Sequence, residues 1–139
     1  MKQIQIINGP NLNLLGVREP EIYGTKTFED FYIEIRKKYP DCAIHYYQSN
    51  HEGDIIDTLH KVGFMYDGIV LNAGAYTHYS YAIADAIKAI TTPVIEVHIS
   101  DIYEREGFRA NSVTGVNCKK IISGKGLPGY IEAIDEFLK

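Results

Sequence analysis

Tryptophan is absent from this chain, cysteine occurs only twice, and basic residues are outnumbered, with 14 Lys and Arg against 18 Asp and Glu. Each shortage excludes something. A formal net charge of −4 and a pI near 5.7 argue against a nucleic-acid binder or an anionic-membrane binder driven by bulk charge. Cys42 and Cys118 form no C-x-x-C pair and no metal-ligand spacing, so they read as free thiols of a reducing, cytoplasmic compartment. No apolar run is long enough to span a bilayer. The amino-terminal residues lack a basic stretch followed by an apolar one, so no signal peptide is expected. Gly9, Gly16 and Gly24 do not make the G-x-G-x-x-G of a dinucleotide fold, and there is no Walker G-K-[ST]. Gly124-Lys125-Gly126 reads as a loop before a helix rather than a phosphate cradle. His78, Glu96 and His98 match no short zinc motif such as H-E-x-x-H, so no metal is expected there.

What is present is the composition of an ordinary globular protein, with 45% hydrophobic and 23% charged residues in a 139-residue chain. That length suits one domain, residues 1–139, with one sizeable core. Eleven tyrosines read mostly as amphipathic packing and interface residues.

Short apolar runs alternate with segments of helical period, the pattern of an α/β protein with a parallel sheet. Strands are expected at residues 3–8, 43–48, 68–72, 93–99 and 119–123. Between them, Thr27 looks like a helix N-cap with Asp30 at the reciprocal position, and Phe28, Phe31, Tyr32 and Ile35 repeat with helical spacing. Asn50 is placed to cap a second helix with Ile55, Ile56, Leu59 and Val62 on one face, closed by Gly63. Ile83, Ile87 and Ile90 mark the buried stripe of a third. Tyr130, Ile131, Ile134, Phe137 and Leu138 mark that of the last. Right-handed crossovers then lead to a flavodoxin-like doubly wound five-stranded parallel sheet, order 2-1-3-4-5, in a three-layer sandwich. Ligands of such sheets bind outside the carboxyl ends of the strands, where the winding reverses. Here that point lies between strands one and three. Asn11, the segment Asn72-Ala73-Gly74-Ala75 and His98-Ile99-Ser100 all fall near it.

Four segments carry candidate chemistry. Asn8-Gly9-Pro10-Asn11 exposes backbone and side-chain amides after strand one. Arg18-Glu19-Pro20-Glu21-Ile22-Tyr23 places a cation and a phenol five residues apart. A phenol with a reference pKa of about 10 is a poor base at neutral pH, and a neighbouring arginine favours its phenolate. Asn72 to His78 reads equally as an anion site opening a helix and as a tight strand-to-helix turn that needs glycine. Glu96, His98 and Ser100 alternate along a strand and share one side until the strand ends. A carboxylate beside an imidazole holds its tautomer and favours its charged form, as a general acid requires. Of Arg105 and Arg109, one suits a clamp on a carboxylate or hydroxyl, and surface charge is the default for the other.

Three blocks together resemble the type II 3-dehydroquinate dehydratases over nearly the whole chain: N-G-P-N-L-N-L-L-G with R-E-P-E-I-Y-G, then L-N-A-G-A-Y-T-H, then E-V-H-I-S followed by E-R-E-G-F-R. The resemblance implies a cofactor-free, reversible dehydration of 3-dehydroquinate to 3-dehydroshikimate on the route to chorismate and the aromatic amino acids. It implies a homo-oligomer, a dodecamer built from trimers. By motif, Tyr23 is the expected base, Arg18 its electrostatic partner, His98 the acid, Glu96 the residue orienting it, and Asn11 a support for an enolate-stabilising water. Asn72 with Ile99 and Ser100 is expected at the substrate carboxylate. His78 and Arg109 are expected at ring hydroxyls, and Asp85 at a neighbouring subunit's site. The chain departs from the usual pattern at Ala73, Asp101 and Gly107 and over residues 111–118 and 124–129. Two other classes compete: a flavin- or phosphate-dependent regulatory module on the same fold, and a pseudo-enzyme that only binds a small acid or a protein.

Overall fold

A computed structural model of the protein describes all residues except the side chains of Ile22 and Tyr23. Five parallel strands, β1 (Lys2–Asn8), β2 (Cys42–Gln48), β3 (Gly68–Asn72), β4 (Val94–His98) and β5 (Lys120–Ser123), form one sheet in the order β2-β1-β3-β4-β5. The helices are α1 (Pro20–Tyr23), α2 (Phe28–Lys38), α3 (Glu52–Val62), α4 (Tyr81–Ala89) and α5 (Pro128–Phe137). Among the described residues, no helix is long and apolar enough to cross a membrane.

The strand period of two divides the core into two halves. Ile4 and Ile6 of β1, Val70 of β3, and Ile95 and Val97 of β4 face α2 and α5, where Phe28, Phe31, Ile35, Tyr130, Ala133, Ile134 and Phe137 bury their side chains. Ile7, Ile69, Leu71 and Val94 point the other way, onto Ile55, Leu59 and Val62 of α3 and Ile83, Ala86 and Ile87 of α4. This produces the three layers expected. It also explains why β3, buried along its whole length, reads as a nearly unbroken apolar run. Glu96 and His98 follow the phase of Val94, so they lie on the α3–α4 face.

Helix starts show where local signals held. Thr27 Oγ1 accepts a hydrogen bond from Asp30 N–H at 3.1 Å, and Ser80 Oγ accepts one from Ile83 N–H at 3.0 Å, each meeting a donor that the first turn leaves unpaired. Asn50 is a correction. The residue preceding α3 is His51, and the Asn50 carboxamide turns instead to the β1 loop, where Oδ1 accepts from Asn11 N–H at 3.0 Å and Gln48 Nε2 at 3.1 Å. A second correction concerns residues 74–78. They do not open the crossover helix but form a separate 3-10 turn, Gly74–His78, and α4 begins afresh after Ser80. The turn-geometry reading of that segment therefore prevails over the helix N-terminus reading. Lys125 Nζ lies 2.8 Å from Glu132 Oε2 at the surface, in keeping with an ordinary loop.

Candidate active site

The loops after β1 and β3 are pressed together. Gly9 N–H donates to Asn72 C=O at 2.7 Å, and a Cβ at Gly9 would stand 2.5 Å from the Ala73 carbonyl oxygen, so only glycine fits. Asn11 takes the left-handed conformation, φ 69°, with its N–H held by Asn50. Asn50, read from the sequence as a helix cap, thus supports Asn11 in its left-handed backbone.

Above these loops lies a cleft of about 170 Å³. Asn11 and Arg18 line it from the β1 side, Asn72 and His78 from the β3 side, and His98, Ile99, Ser100, Arg105 and Arg109 from the β4 side. Pro10, Leu12, Leu15 and Ile102 supply its apolar wall. Eight of the residues singled out from sequence therefore meet in one place, at the switch point between β1 and β3. Three do not. Glu96 is buried beneath the cleft and contacts His98, which lines it. Asp85 lies on the exposed face of α4 and does not line the cleft. Tyr23 ends α1, but its side chain lies outside the described residues, and so does its expected role as base. Arg105, left at the default of surface charge, lines the cleft and donates from Nη2 to Ser100 Oγ at 2.8 Å. Its sequence signal, a second arginine four residues before Arg109, did not say which of the two would turn inward. Both do.

Two imidazoles have defined tautomers. His98 Nε2 lies 2.8 Å from Glu96 Oε2. An ionised carboxylate only accepts, so Nε2 carries a proton and Nδ1 is the remaining atom for chemistry. His78 Nδ1 lies 2.8 Å from the Asn111 carbonyl oxygen, so Nδ1 donates and Nε2 is free to bind a ligand hydroxyl. The Glu96 carboxylate is fully buried and has further donors. Ser112 Oγ–H donates to Oε2 at 2.6 Å, and the buried Thr114 hydroxyl donates to Oε1. Both hydroxyls come from the segment that departs from the usual family pattern, and both went unnoticed in sequence because they lie 16 and 18 residues from Glu96.

Burial alone would raise the Glu96 carboxyl. The hydrogen bond and charge of His98, with the two hydroxyls, outweigh it and hold the group below the usual carboxylate range. A lowered folded-state value means that ionised Glu96 stabilises the fold above the ordinary carboxylate value and that this contribution is lost as pH falls through the lowered one. Glu96→Gln is therefore expected to melt below the parent at neutral pH, with the gap closing in that acidic window. Thermal unfolding followed from pH 7 downward checks this; a gap that widens on acidification would contradict it.

The other departures have plain local accounts. Asp101 Oδ1 accepts from Tyr103 N–H at 2.9 Å and caps the 3-10 turn Ile102–Glu104. Gly107 adopts φ 58°, left-handed backbone that glycine takes without a Cβ penalty, and starts the turn that presents Arg109. Ala73 is fully buried. Among the described residues, no group of three or more His, Cys, Asp and Glu is assembled that could hold a metal.

Known proteins share this fold. The family model described as Dehydroquinase class II matches residues 2–138. A 3-dehydroquinate dehydratase of Caldicellulosiruptor bescii is 53% identical over 137 residues, covering 96% of this chain and 94% of the relative. One of Bacillus cytotoxicus is 49% identical over 141 residues, covering 100% of this chain and 97% of that one. The crystal structure of a type II dehydroquinase from Butyrivibrio crossotus superposes with a TM-score of 0.94 at 50% identity, covering 99% of this chain and 98% of the other. Agreement of this extent, spanning the sheet, the switch-point loops and the arginine-bearing turns alike, means that this chain belongs to the dehydroquinase class II family.

Proposed function

We propose that this protein is a hydro-lyase that reversibly dehydrates 3-dehydroquinate to 3-dehydroshikimate, the shikimate-pathway step towards chorismate and aromatic amino acids. The observation that carries the reading is the buried Glu96–His98 pair opening onto a cleft with three arginines. That combination suits an anionic hydroxy-acid substrate whose leaving hydroxyl needs a proton.

In this mechanism the Tyr23 phenolate removes a proton from the carbon beside the ketone, and the electron pair moves to oxygen to form an enolate. Arg18 favours the phenolate, and Asn11 holds a water against the enolate oxygen. When the carbonyl re-forms, the carbon–oxygen bond at the β position breaks. The departing hydroxide takes a proton from His98 Nδ1 and leaves as water, while Glu96 keeps Nε2–H engaged and offsets the imidazolium charge. Asn72 with the Ile99 and Ser100 backbone and hydroxyl receives the carboxylate, and His78 Nε2 and Arg109 receive ring hydroxyls. No cofactor enters the reaction. The exposed position of Asp85 on α4 supports a role at a neighbouring subunit's cleft within a dodecamer of trimers. Mixing inactive Tyr23→Phe and inactive Asp85→Ala subunits should then restore some activity, and mixed oligomers without any would remove that role.

The competing phosphate-module reading has little room. Backbone donors after β1 are already used: Gly9 N–H by Asn72, Asn11 N–H by Asn50, and Leu12 N–H by Gly9 C=O. A phosphate cradle would need them unoccupied.

The direct test is conversion of 3-dehydroquinate to a conjugated enone, followed by ultraviolet absorbance. Activity should survive a chelator, and it should survive borohydride added with substrate. Absence of enone under all conditions rejects the function. Loss in the chelator or borohydride arm rejects the cofactor-free mechanism.

A further inference from the structure

The carboxyl ends of β1 and β3 are joined by a phenol from the other end of the chain. Asn8 and Asn72 are directly paired in the sheet register. The Tyr130 hydroxyl, brought in by α5, donates to Asn8 Oδ1 at 2.8 Å and accepts from Asn72 Nδ2 at 3.1 Å. Tyr130 is completely buried, and its ring is gripped edge-on by Phe28 at 5.0 Å and Phe31 at 6.1 Å between centroids. Burial holds the phenol well above its ordinary pKa, so it stays a neutral hydroxyl with one proton to give. That proton goes to Asn8, which leaves a lone pair for Asn72.

The Asn72 amide is thereby oriented at both ends. Gly74 N–H can only donate, and it lies 3.1 Å from Asn72 Oδ1. Nδ2 must then face Tyr130, and one of its two hydrogens is used there. Asn72 lines the cleft, and the second Nδ2 hydrogen is what it has left to offer. Without the Tyr130 hydroxyl, the Gly74 N–H is the one bond left to hold the carboxamide's orientation. A carboxamide turned over presents a carbonyl oxygen, which repels a carboxylate.

We propose that Tyr130 is a positioning residue for substrate binding: its buried hydroxyl locks the Asn72 carboxamide so that an N–H donor faces the substrate carboxylate. The inference rests on the reading of the cleft as a dehydroquinate site with Asn72 at the carboxylate. It makes the last helix part of the binding apparatus without touching substrate.

The test is steady-state kinetics of the parent, Tyr130→Phe, Asn72→Ala and the double variant, each with its thermal unfolding curve. Tyr130→Phe should raise KM about tenfold while kcat stays within about threefold, the signature of lost uniform binding. Added to Asn72→Ala, it should raise KM no further, because the group it positions is gone. An unchanged KM in Tyr130→Phe, or an equal rise in the Asn72→Ala background, overturns the inference while leaving the function intact. If Tyr130→Phe shows no cooperative melt, Asn8→Ala serves instead. It removes the acceptor that aims the hydroxyl, and a rise in KM of about threefold is expected. No change there overturns the inference. A parent that makes no enone rejects the reading of the cleft and the inference with it.

Discussion

Replacing Tyr23 with phenylalanine should lower kcat by roughly 10²–10⁴-fold, the span of a lost general base, with KM little changed. The motivation is the position of Tyr23 at the end of α1, five residues beyond the cleft-lining Arg18. The energetics limit what Arg18 does alone. Lowering a phenol by about three units from about 10 takes about 4 kcal/mol, and a cation at about 4 Å supplies that much at an effective dielectric near 20. Arg18, however, is half-exposed and lies 3.7 Å from Glu19 Oε2, which offsets part of its field. Arg105 and Arg109 line the same cleft and add to the positive potential. Arg18→Gln is therefore expected to cost less than Tyr23→Phe, and its residual rate should climb with pH as the phenol ionises unaided. Tyr23→Phe should show no such climb. A Tyr23→Phe enzyme that keeps most of its turnover, or an Arg18→Gln enzyme with the parent's pH profile, would rule out the phenolate mechanism.

The second large effect is expected at His98. Removing the acid should lower kcat by roughly 10²–10⁴-fold, but the two informative substitutions differ in stability. His98→Ala strips Glu96 of a donor and leaves a buried carboxylate under-compensated. Ser112 and Thr114 remain, so the melting temperature should fall by about 5–10 °C rather than the fold being lost. His98→Gln retains an N–H for Glu96 and should melt within a few degrees of the parent, yet be as inactive. Circular dichroism melts beside turnover assays separate the two. Substantial turnover in His98→Gln would show that His98 is not the acid.

The strand order was readable because it follows from period, length and handedness. Runs of four to seven residues, mostly apolar, alternating with amphipathic segments leave few ways to wind a parallel sheet. The site was partly readable for the same reason. Asn72 and His98 lie at strand ends and Asn11 just beyond one, and strand ends meet at the switch point whatever the side chains do. The failures are residues whose roles depend on distant partners. Asn50 carries a cap residue's chemistry, but Gln48 and the Asn11 amide compete for its carboxamide and win. Residues 74–78 begin with the small Gly74 and Ala75, suited to a helix start, but Ser80 offers a better cap and α4 begins there. Arg105 and Arg109 are alike in sequence, and only the turns that carry them bring both to the cleft.

By itself the sequence determined the layered α/β architecture, the strand order, the location of the cleft and the alternation that places Glu96 and His98 on one face of β4. These rest on local periodicity and on constraints that hold for any chain of L-amino acids. Only the tertiary structure decided how the polar groups are partnered. It set which imidazole nitrogen Glu96 engages, brought Ser112 and Thr114 onto that carboxylate, turned Arg105 inward, and set the Tyr130 hydroxyl between Asn8 and Asn72. A buried hydrogen bond depends on ångström-scale placement of groups that in this chain stand as far as 122 residues apart, and no local pattern encodes that placement.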